Sequence, residues 1–97
     1  MRVEYHPLTV FELNNAVVYY NQQRAGLGDK LRTEVYAAIE RARASPSQYV
    51  IVKRGMRRCL VHRFPYAVLF RIVSEDTVRV LVIRHHRRHP SFGLGRR

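Results

Sequence analysis

Apolar positions recur first at the spacing of a helix and later at the spacing of a strand. The opening alternation Val3-Glu4-Tyr5 stops at Pro7 and predicts a short strand. Thr9 and Glu12 then form a T-x-x-E pattern, the reciprocal cap of a helix N-terminus, so a helix is expected to begin there. Leu13, Ala16, Val17 and Tyr20 follow at i, i+3, i+4 and i+7, which places them on one buried stripe. Gly26 and Gly28 end that helix, and Asp29 is positioned to cap a second one with the stripe Leu31, Val35, Ile39 and Ala42. Ser45-Pro46 closes it, because a residue before proline is pushed out of helical geometry. The link Ala25-Gly26-Leu27-Gly28 is short enough to fold the two helices into a hairpin.

The second half changes period. Arg57 to Phe64, Ala67 to Ser74 and Val78 to His85 read as strands rich in Val, Leu, Ile and Phe. Phe64-Pro65-Tyr66 turns the first into the second, and Ser74-Glu75-Asp76-Thr77 turns the second into the third. Connections this short join antiparallel neighbours. The expected fold is α+β: an early strand, then a two-helix hairpin packed on one face of a three- to four-stranded antiparallel sheet. A chain of 97 residues has room for one such domain, spanning 1–97.

Composition then narrows the chemistry. Hydrophobic residues at 46% and charged residues at 26% describe a folded chain rather than a disordered one. The net charge is +11, and it is lopsided. Residues 1–52 hold six Lys or Arg against five Asp or Glu, whereas residues 53–97 hold twelve against two. Only Lys30 and Lys53 are lysines, and arginine's planar fork suits phosphates and carboxylates, so an anionic partner is expected. No apolar run is long enough to span a bilayer, which argues against a membrane partner and for a cytoplasmic protein. Cys59 is the only cysteine, which leaves no internal disulfide and no cysteine-based zinc site; in an apolar strand it reads as packing. His85, His86 and His89 do not make a metal site, because neighbours on a strand point to opposite faces. No cofactor motif is present.

The order of these pieces resembles the RelE/ParE superfamily, the toxins of type II toxin–antitoxin modules. The resemblance runs along nearly the whole chain. It rests on a helix carrying Ala16 and Tyr19-Tyr20, the Gly26-Leu27-Gly28 link, and a second helix ending at Ser45-Pro46. Its most specific part is the Phe64-Pro65-Tyr66 turn, the strand Val80-Leu81-Val82-Ile83, then His86-Arg87-Arg88 with Pro90 shortly after. The resemblance implies the fold already read from the periods. It also implies one of two activities: cutting messenger RNA on the ribosome, as RelE-like toxins do, or poisoning DNA gyrase, as ParE-like plasmid-stabilisation toxins do. The nuclease pattern has an arginine where this chain has Ala67, and an aromatic hydroxyl near the C-terminus where the nearest aromatic is Phe92. Phosphodiester cleavage needs cations and a proton carrier, and both are thinned here. The resemblance therefore favours a ParE-like gyrase poison, neutralised by a small acidic antitoxin. Were the chain a nuclease acting on ribosome and mRNA, Arg58, His86 and Arg87 would carry the chemistry. A third reading is a non-toxic basic nucleic-acid-binding module.

Two groups of residues are candidates for the contacts. Arg57, Arg58, Arg63, Arg71 and Arg79 fall on or beside the strands, and alternation places several of them on the face away from the helices. The run after the last strand, with Arg84, His86, Arg87, Arg88, Pro90 and Phe92, joins arginines to an aromatic anchor, the composition of an interface hot spot. The core stripes all lie upstream of Arg88, so the residues after it are expected to serve contact rather than folding. Tyr20 is assigned to the core, whereas the bases or partners that Tyr19 could stack on are left open.

Overall fold

A computed structural model describes residues 1–97. Strand β1 (Arg2–Tyr5) leads into helix α1 (Pro7–Gln23) and helix α2 (Leu27–Ala44), and a single 3₁₀ turn (Pro46–Gln48) leads to the sheet strands. These are β2 (Ile51–Lys53), β3 (Met56–Leu60), β4 (Tyr66–Ser74) and β5 (Thr77–His85). The sheet has five strands in the order β1-β5-β4-β3-β2. Three adjacent pairs are antiparallel, but β1 runs parallel to β5, so the sheet is mixed rather than purely antiparallel. Strand β2 is the extra one. It is too short to show a period, and its register with β3 is irregular.

The helix starts differ from the sequence expectation for a local reason. Pro7 occupies the first turn of α1, where its missing N–H costs nothing, and the ring nitrogen Nδ1 of His6 accepts from the Leu8 N–H as the cap. Thr9 lies inside the helix instead of capping it, with its hydroxyl donating to the His6 carbonyl at 2.7 Å. Helix α2 starts two residues before Asp29, after Gly26 at φ 85°, a left-handed position that suits glycine. Asp29 then lies in the first turn, where a carboxylate complements the helix dipole. Gly28 permits the hairpin to close: a Cβ there would collide with the Val17 carbonyl, and its N–H donates to Asn21 Oδ1 at 2.7 Å.

Both expected stripes are buried. Leu13, Ala16 and Val17 from α1 and Leu31, Val35, Ile39 and Ala42 from α2 pack on Cys59, Val68, Phe70, Val78, Val80 and Ile83 of the sheet. A second, smaller core lies on the opposite face, where Met56, Leu69, Leu81 and Val82 meet Leu94. Residues 86–97 therefore fold back over the sheet instead of trailing from it, which corrects the expectation that the core ends before Arg88. Gly93, at φ 80°, packs so closely on Val82 that a Cβ could not fit. Arg96 completes the closure: its NH1 donates to the Leu81 carbonyl at 3.0 Å and lies 2.9 Å from the Glu12 carboxylate.

The ion pair is largely buried, so losing one partner strands the other charge. Leu94→Ala should cost about 2–3 kcal/mol and Arg96→Ala about 3 kcal/mol or more. Urea unfolding of each variant checks this, and midpoints equal to the parent's would show the tail to be dispensable. Gly28→Ala should separate the hairpin and cost roughly 1–3 kcal/mol by the same measurement.

Candidate functional site

The site begins with one extra residue in β5. Leu69 pairs with Val82 and Phe70 pairs with Val80, so Leu81 bulges out of the ladder. Before the bulge Val78 and Val80 face the helices and Arg79 faces away. After it Ile83 and His85 face the helices and Arg84 faces away. The bulge is held from its open side, since β1 ends before reaching it. The Glu12 carboxylate accepts the Ile83 N–H at 3.1 Å, and Arg96 takes the Leu81 carbonyl. Glu12, expected to cap α1, serves instead as a substitute for the missing strand.

The outer face of the sheet carries the arginines in rows. Arg58 of β3, Leu69 of β4 and Val82 of β5 form one row, and Leu60, Ala67 and Arg84 form the next. Arg71 and Arg79 stand opposite each other further along. Two like charges so placed repel unless neutralised. Arg79 is paired with Glu4 at 2.8 Å, and Arg71 donates to the Arg54 carbonyl. Arg57 and Arg63 do not join this face. Arg57 stands opposite Phe70 on the helix side and donates to the Tyr49 carbonyl at 2.8 Å. Arg63 sits in the β3–β4 turn at φ 69° and pairs with Glu34 of α2 at 3.4 Å.

The C-terminal segment is built around Arg84. Its NH1 donates to the Pro90 and Phe92 carbonyls, each at 2.9 Å, which fixes the segment against the sheet. Burial, and then the charge of Arg58, lower its pKa, yet a guanidinium stays charged at any physiological pH. Phe92 is half-buried, with the Arg88 guanidinium 4.8 Å and that of Arg96 5.3 Å from its ring centre. It is thus a packed platform for cations rather than a free anchor. His86, Arg87, Arg88 and Pro90 are exposed.

On the helix side, His85 lies edge-on to Tyr66, which meets Tyr20, which in turn meets Phe64 and Tyr19. Tyr20 belongs to the core edge, while Tyr19 is 56% exposed. A groove of about 230 Å³ opens beside them, lined by Asn15, Tyr19, Tyr66, His85, Arg88 and Phe92. A larger cleft of about 650 Å³ lies between the hairpin link and the β3–β4 turn, with Tyr20, Leu27, Glu34, Arg63 and Phe64 in its walls. No three His, Cys, Asp or Glu side chains converge anywhere as a metal cluster would require. No helix is long and apolar enough to cross a membrane.

Residues 3–90, from β1 to the proline of the tail, match the family described as ParE toxin of type II toxin-antitoxin system, parDE. The chain belongs to this family. A solved structure with a similar fold, the chromosomal ParDE TA system from P. aeruginosa, aligns with a TM-score of 0.76 at 15% identity. The alignment covers 88% of this chain and 95% of that one. No curated protein sequence matches this chain.

For this ParE-family chain, sequence reasoning found the tail but missed what holds it. Glu12 and Arg96 are 84 residues apart, and their pairing has no local signal. It also assigned Arg84 to the contacts, whereas the structure gives that side chain a positioning role as well. Arg58 is exposed on the outer face, diagonal to Arg84 across Ala67.

His85 provides a pH test of the arrangement. Its Nδ1 accepts the Arg87 N–H at 3.0 Å, and burial followed by the charges of Arg87, His86 and Arg88 holds its pKa below the ordinary imidazole value. Its stabilising contribution is therefore complete above about pH 6.5 and declines as the pH falls through the folded value. An NMR titration should place the His85 midpoint below 6.5, and a midpoint above it would contradict the packing described.

Proposed function

We propose that the chain is a ParE-type toxin that acts by binding, poisoning DNA gyrase, and that a small acidic antitoxin keeps it silent. Family membership across residues 3–90 is the observation that carries this reading. The geometry supports a binding rather than a catalytic mode. Ala67, in the place where the nuclease resemblance expects an arginine, is a buried methyl between Leu60 and Arg84. Arg87 and Arg88 instead project from a segment pinned by Arg84, so they meet a target with little ordering cost. Inducing the chain in cells separates the two modes: filamentation with DNA-damage signalling supports gyrase, and immediate loss of translation supports ribosomal cleavage. If Arg87 and Arg88 are target contacts, R87A/R88A should weaken gyrase inhibition about 30-fold or more, the loss expected of hot-spot residues. An unchanged inhibition would move the target contact elsewhere.

The antitoxin is assigned to the outward face of α1. Leu8, Phe11, Val18 and Tyr19 are exposed there, Phe11 at 64%, and Glu12 is the only acidic or basic residue in the helix. Apolar anchors on this face supply affinity, while an acidic partner is drawn by the chain's +11 charge. Phe11→Glu should weaken the complex by about 2 kcal/mol or more without changing unfolding stability, measured by calorimetry against the purified antitoxin. Equal affinity would place the antitoxin on another surface.

A further inference from the structure

Four unpaired arginines gather at one end of the sheet. None of the large apolar residues left exposed lies after Val73; Leu8, Phe11 and Val18 face away on α1, while Leu60 stands in the Arg84 row and Tyr19 at the rim of the groove that Arg84 lines. At the end of the sheet where Arg58, Arg84, Arg87 and Arg88 gather, the nearest carboxylate is Glu12, already committed to Arg96 and to the Ile83 N–H. None of the four is among the residues paired with a carboxylate. Burial first, and then the charge of Arg58, lower the pKa of Arg84. Apolar surface at this end is confined to Leu60 and the rim residue Tyr19. The half-buried Phe92 is already covered by Arg88 and Arg96. A polyanion with regularly spaced charges needs no apolar anchors.

We propose that the outer-face arginines Arg58, Arg84, Arg87 and Arg88 form a phosphate-backbone site for nucleic acid, with Tyr19 at the rim of the adjoining groove as a stacking surface for an unpaired base. Tyr19 is 56% exposed and meets Tyr20 edge-to-face rather than in a stack, which leaves ring surface open to a base. Arg84 orients the segment through NH1 and presents its remaining donors, and Arg58 stands on the same outer face, diagonal to Arg84 across the small Ala67. Binding of this kind reads no sequence and is a property of the isolated chain. It stands or falls without gyrase and needs no cleavage of the strand.

The test is fluorescence anisotropy of a labelled single-stranded oligothymidylate with the purified full chain, over roughly 50 to 200 mM salt. Affinity should fall steeply with salt, with a log–log slope near −3 for four phosphate contacts at about −0.7 each. R58Q/R87Q should reduce that slope by one to two units, about one per arginine at most. Both side chains are exposed, and unchanged circular-dichroism melting verifies the fold. Tyr19→Ala should weaken binding roughly tenfold at constant salt slope, because stacking is not ionic. The proposal is overturned by any of three results: no binding at the lowest salt, an equal loss of slope in R2Q/K53Q at the opposite end of the sheet, or equally tight binding of polyglutamate.

Discussion

A single extra residue, Leu81, decides which side of the sheet Arg84 stands on. Without the bulge, strict alternation from Val78 and Val80 would turn Arg84 toward the helices and His85 toward the outer face. A guanidinium pressed against Ala16 and Tyr20 would be a buried charge with no partner. With the bulge, Arg84 meets the carbonyls of Pro90 and Phe92 and ties down the C-terminal segment. The bulge in turn depends on α1 and the chain's last residues, because Glu12 takes the Ile83 N–H and Arg96 takes the Leu81 carbonyl. Helix, strand and tail are thus closed into one circuit of hydrogen bonds around a strand edge that no other strand covers.

That circuit gives the molecule two different surfaces. On one side α1 presents apolar and amide side chains almost without charge. On the other the sheet and tail present arginines almost without carboxylates. Glu4 neutralises only Arg79 at the far end of that surface, and the other acidic residues are used elsewhere: Glu34 on Arg63, Glu40 on Arg43 and Glu12 on Arg96. A chain so divided can engage an apolar protein segment and a polyanion on surfaces that meet only at the rim residue Tyr19.

Much of the architecture was legible in the order of residues. The stripes Leu13-Ala16-Val17 and Leu31-Val35-Ile39-Ala42 are buried as their spacing requires, because a helix longer than three turns repeats its period often enough to be read. The long strands β4 and β5 were found within a residue of their ends. Strand β2 was not, since three residues show no alternation and it pairs only because β3 lies beside it. The T-x-x-E pattern at Thr9 and Glu12 misled for a related reason. A capping box is a local signal, and here the Pro7 and His6 start of the helix and the buried demand of the β5 edge outweighed it.

The candidate site divides the same way. Local sequence determined the excess of arginine in the second half, the short Ala25-Gly26-Leu27-Gly28 link of the hairpin, and the outward placement of Arg71 and Arg79, each of which depends on nearest neighbours or a short period. It could not place Arg57 and Arg63. One turns to carbonyls beside the 3₁₀ turn and the other leaves the strand at a left-handed residue, and neither departure alters the apolar pattern. The parallel pairing of β1, the flip of parity at Leu81 and the folding of Leu94 onto the outer face were decided only by tertiary structure. Each joins residues far apart in the chain, and the free energy that selects it comes from burial and charge pairing that exist only once the sheet has formed.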